Sequence, residues 1–466
     1  MKRFYLTTAI DYVNDVVHIG HAYQKVVADI LARFHRLLGE EVFFLTGSDE
    51  HGGKAEEAAK EAGFKVADFV DRVVSGNKKQ LSALDICPDR YIRTTDKDHV
   101  KQATDFYLRV KKSGDIYRDK FSGFYCSGCE EYKTVADLED GHCPHHPNLS
   151  IKKLAEENYF FAWSKYEDFL KDHIKNNPEF IKPQSRAKEM LAFLDQDLKD
   201  ISISRQNVSW GIPVPDDPDQ TLYVWFDALI NYLTGAPKDF WPADLHLLGK
   251  DNTRWHALLW PAMLKSAGYP LPKTIYAHGF LTLNGQKISK SLGNIIRPQE
   301  LAEEFGSDGA RYLLATAKTL SGDGDISWSK MKEKYNADLA NGLGNLVARL
   351  SRLCQLSEQE FFASWPNPEK VFQGEAGQAL NNYQILKSLK LIWQKITLID
   401  QRLNRAQPWK IKDKKKKGQL LAGFVDDILL VAVMIEPFLP RTTKIIKETF
   451  LAQKITPPKT LFIRKK

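Results

Sequence analysis

Three groups of residues in this 466-residue chain carry residue types suited to chemistry. The first is Val17-His18-Ile19-Gly20-His21. Its two imidazoles supply donors, and the glycine between them lets a ligand approach the backbone closely. The second is Lys287-Ile288-Ser289-Lys290-Ser291-Leu292-Gly293-Asn294. Two lysines three apart act as mobile point charges and the interleaved serines as hydroxyl donors, so the loop can wrap a triphosphate. The third is Cys126-Ser127-Gly128-Cys129, then thirteen residues, then Cys143-Pro144-His145-His146. Cys-x2-Cys with Cys-x2-His matches the ligand pattern of a tetrahedral zinc knuckle. Three thiolates and one imidazole form a closed shell, so one structural zinc is expected, with no open position for chemistry. His146 is the preferred fourth ligand because its spacing from Cys143 mirrors the first pair, with His142 and His145 as competitors. Cys87 and Cys354 stand alone and read as ordinary buried residues.

The elements needed to position these groups follow from the hydrophobic pattern. Phe4–Ile10 reads as a strand. Val27, Ile30, Leu31, Phe34, Leu37 and Leu38 set a 3.6-residue rhythm that stops at Gly39. His18 and His21 therefore fall at a helix start just after a strand, where free N–H groups and the positive dipole end suit a phosphate. Val42–Thr46 reads as a second strand, and residues 54–62 as a helix. Such alternation implies a parallel sheet with ligands beyond the strand carboxyl ends, where Thr46-Gly47-Ser48-Asp49-Glu50-His51-Gly52-Gly53 would face the same crevice. Helical patterns are expected at 158–171 and 185–198, followed by the rigid connection Trp210-Gly211-Ile212-Pro213-Val214-Pro215. Leu222–Asp227 reads as a strand running into a helix that carries Ala228, Leu229 and Tyr232. His246–Gly249 and Thr274–Phe280 are further strands, and Asn284-Gly285 is a tight turn. The pattern is a split nucleotide-binding fold with the zinc knot inserted between its halves. Beyond residue 336, helices are expected at 338–353, 377–404 and 420–434, which suits a bundle.

A chain with 43% hydrophobic and 11% aromatic residues can bury a sizeable core. No apolar run approaches the ~20 residues that span a bilayer. Met1-Lys2-Arg3 enters a strand pattern directly, leaving no room for a signal peptide. A soluble cytoplasmic protein is expected. Five cysteines are too few for a disulfide scaffold. Residues 331–466 carry 24 Lys and Arg against 12 Asp and Glu, an excess of 12 that leaves the preceding residues at −5 within the net +7. A basic back suits a polyanion, most simply nucleic acid; a solubilising face is the alternative.

The histidine and lysine segments, in order and at opposite ends of a split α/β region, resemble the HIGH and KMSKS signatures of class I aminoacyl-tRNA synthetases. Thr46–Gly52, Trp210–Pro215, Tyr223-Val224-Trp225-Phe226-Asp227-Ala228 and Ala277-His278-Gly279-Phe280 narrow the resemblance to methionyl-tRNA synthetases, from residue 4 to at least Trp409. The resemblance implies a Rossmann-type catalytic domain in two halves (1–115 and 206–285). A connective domain with the zinc knuckle (116–205) would lie between them, followed by a lysine-loop and stem-contact region (286–335) and a helical anticodon-binding domain (336–466). It implies methionine activation by ATP with Mg2+, then transfer to the 3′ end of tRNA(Met) with its CAU anticodon, serving initiation and elongation.

By the same resemblance, His18, Gly20, His21, Gly249, Asp251, Lys287, Ser289 and Lys290 bind ATP, with His18, His21, Lys287 and Lys290 catalytic. Asp49 would receive the α-ammonium of methionine, and Ile10, Tyr12, Trp225, Ala228, Leu229, Tyr232 and His278 would line its side-chain pocket; aromatic walls suit a thioether. Asn345, Arg349 and Trp409 would read the anticodon, through base-edge hydrogen bonds and stacking. Lys414–Lys417 would hold the tRNA backbone. Three positions depart from the family: Ile288 stands where methionine is usual, Asp11 where proline or an aromatic is common, and Asn252 is more polar than expected. The chain ends soon after the bundle, so a monomer is expected. A class I synthetase for another apolar amino acid and a catalytically silent tRNA-binding relative are the competing readings. The zinc spacing and the lack of a large inserted editing domain oppose the first, and the intact His18, His21, Lys287 and Lys290 the second.

Overall fold

The computed structural model describes residues 2–126, 128, 131–133, 138–144, 149–289 and 292–466. Cys129, His145, His146, Lys290 and Ser291 lie outside the described residues. Side chains alternate along Phe4-Tyr5-Leu6 between two apolar cores, Phe4 and Leu6 to one and Tyr5 to the other, as a strand covered on both faces requires. This strand, β1 (Arg3–Thr8), belongs to a seven-stranded sheet with β2 (Asp11–Tyr12), β3 (Glu41–Asp49), β4 (Arg90–Arg93), β5 (Ile181–Lys182), β6 (Leu245–Gly249) and β7 (Ile275–His278). The order is β2-β3-β1-β6-β7-β5, with β4 also on β3, and every pairing is parallel. Because β1 lies between β3 and β6, the strand order reverses beside it, and a crevice opens there beyond the strand carboxyl ends. Helix α1 (Ile19–Leu37) follows β1 and ends at Leu38, with Gly39 at φ +72° turning the chain away.

β3 runs past Thr46 to Asp49, because Gly47 and Ser48 pair with Ile92 and Arg93 of β4. Between the sheet halves lies an antiparallel sheet built on Ile116–Cys126 paired with Lys152–Phe161. The helix expected from Asn158 therefore starts only at Glu167; Tyr159-Phe160-Phe161 is a strand, as aromatic residues on a pleated surface favour. Conversely, Val224–Ala228, expected to begin as a strand, is a short helix after the strand Asp217–Leu222. Apolar runs this short do not reveal their period. Asn284 and Gly285, at φ +52° and +75°, form a two-residue hairpin turn between Leu281–Leu283 and Gln286–Lys287.

The C-terminal part is helical: Asn345–Ser357, Glu375–Asn381, Ile385–Ala406, Lys414–Ile435 and an unanticipated Pro440–Phe450. The single helix expected over 377–404 is broken at Tyr383, whose φ is +59°. Lys414–Ile435 has 22 residues and a window of mean hydropathy 1.9, long and apolar enough to cross a bilayer by length and composition. This corrects the expectation that no apolar run approaches that length. Its Leu421, Phe424, Val425, Ile428 and Leu429 are buried in the core of the bundle. That core continues without a break into α1 and the helix Pro298–Thr316. At its centre Arg311, fully buried, pairs with Asp29 of α1 at 2.7 Å and donates to the carbonyls of Leu84, Pro437 and Phe438.

Candidate active site

His18 is the N-cap of α1. Its Nδ1 accepts the Gly20 N–H at 3.0 Å, while the His18 N–H donates to His21 Nδ1 at 3.3 Å. This is a capping box made from imidazoles. A backbone N–H can only donate, so each Nδ1 must be an unprotonated acceptor, and each ring carries its hydrogen on Nε2. Burial, followed by the charges of His21, Arg297 and Lys25, lowers His18 to about 3. His21 is exposed along one edge, yet the protein around it also lowers its pKa. Two neutral rings, centroids 4.0 Å apart, thus present Nε2–H donors at the helix start. Gly20 is needed for room: a Cβ there would stand 2.7 Å from His18 Cε1.

The chain just beyond the lysine segment meets this helix start. Ile19 N–H donates to Ile296 O at 3.0 Å, and Arg297 holds Asp15 at 3.1 Å and donates to the Val16 and Val17 carbonyls. Within the loop, Asn294 accepts the Ser289 N–H and donates to Lys287 O, both at 2.9 Å. Ile288 is buried in the core, where an aliphatic replacement for methionine fits, and Lys287 is exposed. Gly249 ends β6 opposite His278 on β7. The carboxyl of the next-but-one residue, Asp251, is raised by surrounding protein, against the pull of Lys287 and His21. Sequence reasoning missed Gln24 and Lys25, which the inner face of α1 turns toward the strand ends. Lys25, almost fully buried, pairs with Asp11 at 2.6 Å, so the unusual charge at position 11 is answered. Gln24 donates to Leu247 O at 2.9 Å and contacts His278 Nε2 at 3.3 Å. The available signal was three polar residues, Gln24, Lys25 and Asp29, inside the otherwise apolar stretch 22–32 of the helix.

Beside the crevice lies an aromatic cluster. Trp225 stacks on Trp255 at 5.0 Å and meets Tyr12 and His256 edge-on at 6.5 and 6.2 Å. Tyr232 O–H donates to His256 Nε2 at 2.7 Å, because His256 Nδ1–H is taken by Asn252 O at 3.0 Å. Trp255–Leu259 is a π-helical turn, a local device that re-aims side chains. Ala228, Leu229 and Tyr232 are buried here, and Ile10 packs alongside. Tyr12 pairs in register with Asp49, itself buried. Two imidazoles pack in this cluster, His256 and His246, whose ring lies 4.3 Å from that of Tyr232. His278 instead faces Tyr23 at 5.4 Å and Gln24, with burial lowering it to about 3.

A family model described as tRNA synthetases class I (M) matches residues 4–152 and 149–351. The methionine–tRNA ligase of Thermotoga maritima is 40% identical over 468 residues, covering 95% of this chain and 74% of the relative. That of Synechocystis is 41% identical over 476 residues, covering 96% and 90%. The Mycobacterium tuberculosis methionyl-tRNA synthetase solved with methionyl-adenylate superposes with a TM-score of 0.92 at 34% identity, over 100% of each chain. The chain belongs to the methionyl-tRNA synthetase family. Its α/β parallel sheet and helical C-terminal region are the class I synthetase fold.

Two other regions singled out in this family member complete the description. On the helix Asn345–Ser357, Asn345 is exposed, and the Arg349 guanidinium sits 6.0 Å over the Trp409 ring, which is 48% exposed. Arg349 Nη1 lies 3.3 Å from Asp400, while its Nε and Nη2 have no hydrogen-bond partner among the described residues. Cys126 and Cys143 are both fully buried. Among the described residues no cluster of three or more His, Cys, Asp or Glu forms a metal site.

Proposed function

We propose that this chain is a methionine–tRNA ligase. The methionine carboxylate attacks the α-phosphorus of ATP, the α–β phosphoanhydride breaks, and methionyl-adenylate and pyrophosphate form. A terminal ribose hydroxyl of tRNA(Met) then attacks the carbonyl carbon and releases AMP, supplying initiation and elongation. The observation that carries this reading is the meeting of the His18–His21 helix start, the lysine loop and the aromatic cluster at one crevice, where the attacking carboxylate needs no general base. Catalysis is then alignment and charge stabilisation. His18 and His21 donate Nε2–H to the nucleotide phosphates, with Gly20 keeping the rings in place. Lys287 and Lys290, with Ser289, close over the departing pyrophosphate, and Gly249 and Asp251 hold the nucleoside. Mg2+ enters with the ATP phosphates as part of the substrate.

Asp49 takes the α-ammonium, and Ile10, Tyr12, Trp225, Ala228, Leu229 and Tyr232 enclose the thioether. His278 keeps the place given it from sequence, on the Gln24 side of the crevice, and His256, hydrogen-bonded to Tyr232, braces the aromatic wall. Asn345, Arg349 and Trp409 form an anticodon site; an exposed indole with a guanidinium over it suits stacking by a splayed base, and the exposed Asn345 amide can reach a base edge. Four lysines at a helix N-terminus oppose the dipole, and Asp413, accepting from Lys415 and Lys416 N–H at 2.9 and 3.1 Å, offsets them only in part. A polyanion such as the tRNA backbone accounts for their placement. Cys126, Cys129, Cys143 and His146 would hold one zinc; two buried thiols suit a soft, closed shell, and zinc when bound would brace the connective domain. The domains follow the boundaries given above, and the enzyme works as a cytoplasmic monomer.

Amino-acid-dependent ATP–pyrophosphate exchange across all twenty amino acids tests the assignment. Exchange with methionine is expected; none with methionine, or more with leucine or valine, would end it.

A further inference from the structure

Asp227 lies two residues beyond Trp225 and has no solvent exposure. Its Oδ2 accepts from His51 Nδ1 at 2.6 Å and its Oδ1 from His99 Nε2 at 2.7 Å. An ionised carboxylate only accepts, so both ring nitrogens carry hydrogen. Burial alone would raise this carboxyl, but His51 and His99 outweigh it and hold Asp227 at about 2. The three groups belong to three separate elements. His51 follows β3 two residues after Asp49. Asp227 is on the short helix Val224–Ala228. His99 is on the helix Lys97–Lys112, and its Nδ1 lies 3.4 Å from Thr234 Oγ1, at the end of the turn that carries Tyr232. His51 also packs edge-on against Trp210, whose Nε1–H donates to Glu50 O at 2.6 Å.

We infer that Asp227 is a positioning residue for methionine: bridging His51 and His99, it locks the strand end bearing Asp49 to the helix bearing Trp225 and Ala228. The ammonium site and the side-chain pocket lie on different elements, and this bridge joins them directly. A carboxylate fits where an amide does not. Asparagine keeps the shape but replaces one acceptor by a donor, which faces an N–H and releases one arm. The inference rests on the methionine reading above.

The test compares wild type with Asp227→Asn and His99→Leu in ATP–pyrophosphate exchange, alongside thermal denaturation and active-site titration. Both variants should raise the methionine KM about tenfold, the effect of one lost charge-assisted hydrogen bond. The ATP KM should stay within about twofold, since the bridge does not touch the nucleotide crevice. His99→Leu, which has no donor, removes one arm only and serves should Asp227→Asn not fold. If both KM values stay at wild-type levels while melting temperature or active fraction falls, the bridge is structural and the inference is overturned. Equal rises in both KM values overturn it too. Absence of methionine-dependent exchange in the wild type would sink the underlying reading instead, and is seen before any variant is made.

Discussion

Replacing Gly20 with alanine separates the stability of α1 from the chemistry at its start. Alanine is the better helix former by about 1 kcal/mol in a helix interior, so propensity alone predicts a stabler protein. Against this, the new Cβ would lie 2.7 Å from His18 Cε1 and 3.0 Å from His18 Nδ1. Ordinary carbon contacts begin near 3.5 Å, so the imidazole must move by roughly 1 Å. The ring is the mobile partner, because the backbone behind it is fixed by the Ile19–Ile296 hydrogen bond and by α1 itself. That displacement breaks the Gly20 N–H bond to Nδ1, worth about 0.5–1.5 kcal/mol, which roughly cancels the propensity gain. The melting temperature should therefore stay within about 3 °C of wild type. The chemistry has no such compensation. A preorganised donor moved by about 1 Å from a developing charge costs on the order of a hundredfold in rate. ATP–pyrophosphate exchange read beside thermal denaturation gives both quantities. Wild-type exchange in Gly20→Ala would refute the role given to the His18 ring. A collapse of the melting temperature would refute the claim that the ring yields rather than the backbone.

Stability should depend on acid through histidines held neutral by burial. His18 at about 3, His256 at about 4 and His278 at about 3 sit below the ordinary 6.5, so the unfolded chain binds protons that the folded one refuses. Their contribution is whole above pH about 6.5 and is lost as pH falls toward 4 and 3; a urea midpoint unchanged between pH 7 and 4.5 would contradict this. Arg311→Leu removes the partner of buried Asp29 and three carbonyl contacts, leaving Arg33 as the remaining cation; a loss of about 3–5 kcal/mol in urea unfolding is expected. Cys126→Ser should lose bound zinc on metal analysis, and unchanged stoichiometry would refute the ligand set. Trp409→Ala should slow tRNA charging while leaving pyrophosphate exchange intact.

The sheet and its crevice were legible because their signals are local. Phe4–Ile10, the rhythm of α1 and His246–Gly249 state their own periods, and the histidine segment marks the start of α1. The errors fell where an apolar run was short or its partner was distant. Tyr159-Phe160-Phe161 has no periodicity of its own and becomes a strand through partners distant in the chain, Ile116–Cys126 on one side and Ile201–Ser202 on the other. Tyr383 breaks a helix that its neighbours would continue, because Gln384 N–H turns back to Ala379 O. Beside the aromatic cluster, His256 was not singled out, because an imidazole inside Trp255-His256-Ala257-Leu258-Leu259 reads as core. Only the π-helical turn and the Tyr232 hydroxyl show where it points. Lys25 was missed for the complementary reason: its partner Asp11 lies across a loop, so neither residue alone indicates a buried pair.

The start of α1 shows how folding and catalysis use the same bonds. A serine or aspartate at the N-cap would satisfy the helix equally well. With His18 and His21 as the capping box, the hydrogen bonds that end the helix also consume both Nδ1 atoms, which dictates Nε2–H on each ring before any ligand arrives. The donors therefore need neither a tautomer change nor a side-chain search when phosphate binds, and such preorganisation is where electrostatic catalysis gets most of its strength. Neutral rings are also the more useful state. Arg297 and Lys25 already supply positive charge near His18. Two imidazolium ions in addition would hold the triphosphate tightly in the ground state, adding uniform binding that lowers KM without raising the rate. Keeping the histidines neutral and the lysines on a separate loop divides the work. In the proposed mechanism the helix start would align the phosphates from the outset, and the lysine cations would contribute most as charge builds on the departing pyrophosphate.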